Sequence, residues 1–178
     1  MDLLREAFDV PVWGSEYTSR TVRCDRILSD GEILQLGSQE WTVLVTPGHH
    51  PGHVCLLSEA GLVAGDMVAG IGTILIPPGT GDMDVYIEQL QRLEKLEPHL
   101  MFPSHGPVIP LPDKTLSYYI KHRMERHQRV LDAVKSGHRT VSEISIEAYA
   151  NTPDAHPGLA QDQTLAHLLS HERAGRVQ

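Results

Sequence analysis

The side chains best suited to chemistry are histidines and one aspartate that follow short apolar runs of the chain. The stretch TPGHHPGH, residues 46–53, follows the run WTVLV, Asp66 ends the run GLVAGD, and His105 follows LMFPS. Each run is predicted to be a strand, and strand ends are where α/β proteins place functional loops. Taken singly, each residue also has an ordinary explanation as a loop histidine or a turn aspartate. Together, His49, Asp66 and His105 predict a metal site, because imidazole and carboxylate ligands suit zinc and also manganese or iron.

The glycines and prolines around the histidines predict a tight loop. Pro51 pushes the backbone of His50 toward extended geometry, and Gly48 and Gly52 permit sharp bends. We therefore expect His49 to point into a cleft at the end of the preceding strand.

The elements that must position these residues are predicted from periodicity and turn residues. Asp30-Gly31 and Gly37-Ser38 separate strand-like runs. The predicted elements are, in order, the end of an amphipathic helix over 3–8, a short strand over 10–13, strands in TVRCDRIL, EILQLG, WTVLVT, HVCLLS and GLVAGD, a helix capped by Asp84 and running to about Glu97, a strand in HLMFPS and a helix over about 113–136. This order predicts a layered α/β core.

The tail from about residue 137 has a different character. Thr140 and Glu143 form the capping-box pattern of a helix start. A second helix is predicted in AQDQTLAHLLSHERAG. His167 and His171 lie four residues apart on it and are expected to be a half-exposed pair rather than a metal-binding site. Helix, loop, helix and a terminal GRVQ resemble a winged-helix module, so two domains are predicted, 1–136 and 137–178.

Composition and charge limit which partners and which cellular compartment we expect. The 178 residues carry a formal net charge of −8, and the tail from residue 139 has three arginines against five carboxylates. The charge therefore argues against a nucleic-acid partner. There is no apolar run of membrane-spanning length and no leader pattern at the start. Cys24 and Cys55 are predicted to be buried small hydrophobes in a cytoplasmic protein.

TPGHxPGH, a strand ending in GD, and PSHG after a helix resemble the metallo-β-lactamase superfamily, on its glyoxalase-II-like and lactamase-β-like branch. The resemblance covers about residues 1–136, and the tail is similar to the winged helix of the lactamase-β-like members. It implies an αβ/βα sandwich and a two-metal hydrolase. It also implies that His49 ligates the first metal, Asp66 bridges both and His105 ligates the second. His53 would orient the loop or contact substrate, and His50 would not be a ligand.

The most important departure from the family pattern concerns the metal ligands. The family's main ligand motif is H-x-H-x-D-H, and this sequence contains no H-x-H. We therefore expect the chain to correspond to a member that starts just downstream of that motif, with an incomplete sandwich. Neither ion then has enough ligands, so zinc occupancy is expected to be partial or absent. The inner faces of TVLV, VCLL and GLVA are expected to be open to water, which predicts a homodimer or larger assembly.

Two functions are left open. The first is a metal-dependent hydrolase acting on small-molecule esters, thioesters or phosphodiesters, with activity of this chain alone in doubt. The second is a non-catalytic remnant that serves as a dimeric scaffold or a winged-helix binding module.

Overall fold

The computed structural model describes residue 5 and residues 7–177. The strands are β1 (Trp13–Ser15), β2 (Arg26–Leu28), β3 (Ile33–Leu36), β4 (Gln39–Val45), β5 (Val54–Ser58), β6 (Gly61–Gly65) and β7 (Met101–Pro103). The helices are α1 (Glu16–Ser19), α2 (Met83–Lys95), α3 (Pro112–Lys135), α4 (Val141–Ala148) and α5 (Pro157–Arg173). The predicted α/β class is confirmed. Arg5, Ala7 and Phe8 are helical, and the rest of the predicted helix over 3–8 lies outside the described residues.

Five strands form the central sheet in the order β3-β4-β5-β6-β7. The first four strands are antiparallel to their neighbours, and β7 is parallel to β6. Because β4, β6 and β7 therefore run in the same direction, their carboxyl ends lie at one edge of the sheet. β1 and β2 form a separate parallel pair. The strand predicted over 10–13 was misplaced, since it begins at Trp13.

The main core lies between one face of the sheet and the helices. Leu44, Cys55 and Leu62 from the sheet are buried together with Leu90 of α2 and Leu116 of α3. Apolar residues at every second strand position supply this face, as a half-buried sheet requires.

The opposite face of the sheet is covered unevenly. Val43, Leu56, Val63 and Phe102 are aligned across β4, β5, β6 and β7. Val43 is fully buried with Leu28 of β2, whereas Val63 is 38% exposed. The expectation that this whole face is open was therefore wrong for β4, because the segment containing β2 folds over it, and it holds only toward β6.

Two helix starts were predicted with different success. The capping box at α4 is confirmed, with Thr140 accepting from the Glu143 N–H and Glu143 accepting from the Thr140 N–H. At α2 the cap is Asp82, not Asp84, and Asp82 Oδ1 accepts from the N–H groups of Asp84 and Val85 at 3.0 and 3.2 Å. An aspartate two residues earlier satisfies the first amides of the helix equally well.

The tail packs on the second half of α3. Val130 and Ala133 of α3 are buried with Ile144 and Ala148 of α4. The described residues 137–177 contain helices α4 and α5 and no strand, so the wing of the predicted winged helix is not observed and that assignment stays a prediction. The half-exposed histidine pair was wrong. His167 and His171 are both 0% exposed, because α5 turns this side toward α3.

Within the described residues, no helix combines the length and the apolar character that crossing a membrane requires.

Candidate metal centre

The three residues predicted as ligands come together at the carboxyl-terminal edge of the sheet. Asp66 follows β6 directly, His105 comes two residues after β7, and His49 lies in the loop between β4 and β5. His49 Nε2 is 3.7 Å from Asp66 Oδ2, and His105 Nε2 is 3.4 Å from Asp66 Oδ1. Asp66 thus has one oxygen facing each histidine, which follows from the shared direction of the three strands.

His49 is held in one orientation by a backbone carbonyl. Its Nδ1 lies 2.7 Å from the carbonyl oxygen of Leu75, so Nδ1 carries the hydrogen and donates it. In the neutral ring the other nitrogen, Nε2, therefore offers its lone pair on the side of Asp66, which is the tautomer that a metal-binding histidine needs.

The loop that carries His49 is fixed by a close backbone approach. The amide of Asp82, the cap of α2, donates to the Gly48 carbonyl at 2.7 Å. Gly48 has φ +135°, and a Cβ there would lie 2.4 Å from the Cα of Tyr86. Only glycine fits this position, since the backbone conformation and the contact both exclude a side chain.

His53 positions Asp66 through the backbone. Its Nε2 accepts the Asp66 N–H at 3.0 Å, and its Nδ1 lies 2.8 Å from Thr46 Oγ1. Burial, with a smaller contribution from neighbouring His49, lowers the pKa of His53 from 6.5 to about 4. The ring is therefore neutral at neutral pH, with Nδ1 donating to Thr46 and Nε2 accepting from Asp66.

His105 is the most exposed of the three, with 73% of its side chain accessible. Its backbone is nevertheless anchored. Its carbonyl accepts the Gly70 N–H at 2.8 Å, and the preceding Ser104 N–H donates to the Gly65 carbonyl at 3.0 Å.

His50 does not join the group. It is exposed, its Nδ1 accepts the Gly52 N–H at 3.1 Å, and its ring meets Tyr17 edge to face.

The donor set forms two pairs that share one carboxylate. Among the described residues, no group of three or more His, Cys, Asp or Glu side chains is arranged to hold one ion. Asp66 Oδ1 is a buried oxygen for which the described part of the chain offers no hydrogen-bond partner. An unpaired carboxylate oxygen is costly to bury, so its position between imidazoles fits a site that a cation completes.

Comparisons with known proteins identify the family of the chain. The chain belongs to the metallo-beta-lactamase superfamily, whose family model matches residues 3–105. It is 30% identical over 166 residues to a Beta-lactamase-like protein 2 homolog of Drosophila melanogaster, covering 86% of this chain and 56% of the relative. It is 29% identical over 109 residues to the Atrochrysone carboxyl ACP thioesterase of Aspergillus fumigatus, covering 60% of this chain and 33% of that protein. The chain therefore spans about half the length of the first of these relatives and a third of the second.

Solved structures also match this chain. A beta-lactamase domain protein from Burkholderia ambifaria is 28% identical and matches with a TM-score of 0.71, over 87% of this chain and 49% of that chain. A protein solved in a di-iron-bound form is 26% identical, with a TM-score of 0.50 over 64% of this chain and 66% of that chain.

Sequence reasoning found the three converging side chains and His53, but not the groups that orient His49. The Leu75 carbonyl left no signal, because any residue type offers that oxygen and its position depends on a loop of irregular structure. Asp82 had a signal, since an aspartate before a helical pattern is a capping residue.

Proposed function

We propose that this chain carries the His49–Asp66–His105 side of a dinuclear metal centre in a hydrolase acting on small-molecule thioesters or esters. His49 and Asp66 Oδ2 would hold one ion, and His105 and Asp66 Oδ1 would hold the other. Zinc is the expected metal, with manganese and iron as alternatives that the same nitrogen and oxygen donors accept.

The observation that carries this proposal is the division of the Asp66 carboxylate. Its two oxygens face two different imidazoles, at 3.7 and 3.4 Å. A carboxylate that merely formed a turn would direct its oxygens at nearby backbone amides, as Asp82 does. Buried Oδ1 instead has no such partner among the described residues.

The chain's own residues prepare the site in two ways. The Leu75 carbonyl holds the hydrogen of the neutral His49 ring on Nδ1, which leaves Nε2 as the nitrogen available to a metal, and neutral His53 fixes the backbone of Asp66. When bound, divalent ions in such sites polarise a carbonyl oxygen and lower the pKa of water. The thioester class is supported by the relative whose name describes an acyl-carrier-protein thioesterase.

Ligand count limits what this chain does by itself. A catalytic zinc ordinarily has three protein ligands, and each half of this site offers one histidine and a share of Asp66. We therefore propose that the isolated chain binds zinc at partial occupancy and hydrolyses thioesters no faster than a metal-free control.

A non-catalytic role as a dimeric scaffold is the second candidate. The open part of the sheet face favours it, because Val63 is 38% exposed next to half-buried Leu56 and Phe102. Two copies that paired through this row would bury it, and neither would supply an H-x-H motif to the other.

Zinc binding by equilibrium dialysis tests the assignment. The variants are His49→Ala, Asp66→Asn and His105→Ala, with His50→Ala as the control, because His50 is the adjacent imidazole and faces away from the group. We expect each of the three variants to lower zinc affinity at least about tenfold and His50→Ala to leave it unchanged. Equal zinc binding by the wild type and all three variants would refute the site.

Thioester hydrolysis measured on the same samples tests whether this chain is an enzyme by itself. We expect wild-type turnover to equal that of the chelator-treated protein. Stoichiometric zinc with turnover that His49→Ala and His105→Ala both abolish would instead make this chain an enzyme as it stands, and would exclude the scaffold role as its sole function.

A further inference from the structure

Two buried polar side chains from distant parts of the sequence hold the loop segment Ile74–Ile76. Gln163 of α5 accepts the Ile76 N–H through Oε1 at 3.3 Å and donates to the Ile76 carbonyl through Nε2 at 2.9 Å. Arg123 of α3 donates to Gln163 Oε1 at 2.8 Å and also to the Ile74 carbonyl. The segment is thus clamped on both sides of Leu75.

The clamped residue is the one that orients His49. The Leu75 carbonyl accepts the hydrogen on His49 Nδ1 at 2.7 Å, and both neighbours of Leu75 are fixed by the clamp. The direction of this carbonyl is therefore set by α3 and α5, although His49 itself lies in the loop after β4.

The clamp is made of groups that are expensive to bury. Gln163 is 7% exposed and Arg123 is 2% exposed, and the guanidinium of Arg123 lies 5.4 Å from the centre of the Tyr86 ring. Such groups stabilise a fold weakly compared with apolar residues of the same volume, because their desolvation offsets the bonds they form. What they supply is one fixed geometry, here that of residues 74–76.

A second set of contacts connects α5, through Asp82, to the backbone of Gly48 next to His49. Arg173 donates to Asp82 Oδ1 at 2.9 Å and to Asp84 Oδ2 at 2.8 Å, and the Asp82 N–H holds the Gly48 carbonyl at 2.7 Å. One helix of the tail therefore braces both the backbone before His49 and the carbonyl that its ring contacts.

We propose that Gln163 and Arg123 are positioning residues that set the tautomer of His49, and that α5 thereby holds the segment 74–76 against the His49 ring. The effect on metal affinity rests on the proposed function, whereas the effect on the tautomer does not. The alternative is that the clamp only satisfies backbone groups of an irregular loop, in which case its removal would change stability and leave His49 as it is.

The test is the variant Gln163→Met, which keeps the length of the side chain and removes both bonds to Ile76. Long-range proton–nitrogen NMR spectra of the histidine rings report the tautomer in the metal-free protein at mildly alkaline pH, and the signal lost in His49→Gln assigns His49. We expect Nδ1–H only in the wild type and a mixture of tautomers in Gln163→Met. Zinc affinity should fall about tenfold, the size typical for loss of a group that orients a ligand.

Two further variants keep the result interpretable. Ile144→Val trims the small cluster between α3 and α4 and should lower stability while leaving the His49 tautomer unchanged. Gln163→Glu retains the acceptor for the Ile76 N–H and Arg123 but replaces the donor to the Ile76 carbonyl by a second acceptor. It should shift His49 in the same direction, even if Gln163→Met does not fold.

Four outcomes are distinguished. An Nε2–H tautomer in the wild type, an unchanged tautomer in a folded Gln163 variant, or an equal shift in Ile144→Val would each overturn the inference. A wild type that shows the expected tautomer and its loss in the Gln163 variants, but binds no zinc, would refute the proposed function and support the positioning role.

Discussion

Replacing Gly48 by alanine tests whether the backbone before His49 is as tightly constrained as the structure shows. The new Cβ would lie 2.4 Å from the Tyr86 Cα and 2.6 Å from its amide nitrogen, at φ +135°. Tyr86 is fully buried and belongs to helix α2, so the contacted atoms are helix backbone and cannot rotate away as a flexible side chain would. Either α2 or the His49 loop must shift.

The magnitude follows from comparison with Gly31→Ala. Gly31 has φ +76°, and nothing lies within 4 Å of its added Cβ, so that variant has only the strain of a left-handed alanine, about 1–2 kcal/mol. Gly48→Ala has at least that strain, because φ +135° lies farther from the left-handed region that alanine can adopt, and it also has an overpacked contact, typically about 1–3 kcal/mol. The gain from stiffening the unfolded chain is the same in both variants and cancels.

Urea unfolding of the two variants and the wild type measures the difference in the free energy of unfolding. We expect Gly48→Ala to be less stable than Gly31→Ala by about 1–3 kcal/mol and to bind zinc more weakly as well, because its loop carries His49. Equal stability of the two variants would refute the contact with Tyr86, and lower stability with unchanged zinc binding would refute the link between this contact and His49.

Three further predictions concern the rest of the chain. Thr140→Ala should lower the free energy of unfolding by about 1 kcal/mol through loss of the capping box, while Ser142→Ala on the same helix should leave it nearly unchanged in the same urea titration. Burial, and to a smaller extent the neighbouring His171 and Arg176, lowers the pKa of His127 from 6.5 to about 4. The unfolded chain therefore binds this proton more readily, so the contribution of His127 to the free energy of unfolding is complete above pH 6.5 and is lost as the pH falls toward 4. In urea titrations across this pH range, His127→Gln should lose less stability than the wild type. Light scattering should show a dimer or larger for the wild type and a smaller species for Val63→Glu, and a monomeric wild type would contradict the assembly.

The parts of the fold that the sequence predicted are those fixed by local rules. The capping box at Thr140 needs only residues three apart, and the strand ends at Asp66 and His105 need only an apolar run and a turn. The convergence of these ends was also expected, because strands of one direction bring their carboxyl ends to one edge. Each of these inferences depends on neighbours in sequence or on sheet geometry.

The parts that were wrong depend on contacts between distant segments. His167 and His171 looked like an ordinary polar pair on a helix, yet both are buried, and His127 Nδ1 lies 3.2 Å from His167 Nδ1. Nothing within α5 signals that this side faces α3. The cover over Val43 was missed for the same reason, since Leu28 comes from a segment joined to the sheet by a turn whose direction the sequence does not fix.

The clamp on residues 74–76 gives the two halves of the proposed centre unequal character. On the side of His49, the ring and its tautomer are held by the hydrogen bond that Nδ1 donates to the Leu75 carbonyl, and the Asp66 backbone is held by the hydrogen bond that its N–H donates to His53 Nε2. On the other side, His105 has an anchored backbone but a side chain that is 73% exposed, so its ring has rotational freedom to lose on binding. An ion held by His49 and Asp66 would therefore meet preorganised ligands, whereas an ion held by His105 would have to order that side chain. Because ordering a side chain opposes binding, the first ion to bind is expected on the His49 side, and α5 is the element that makes that side rigid.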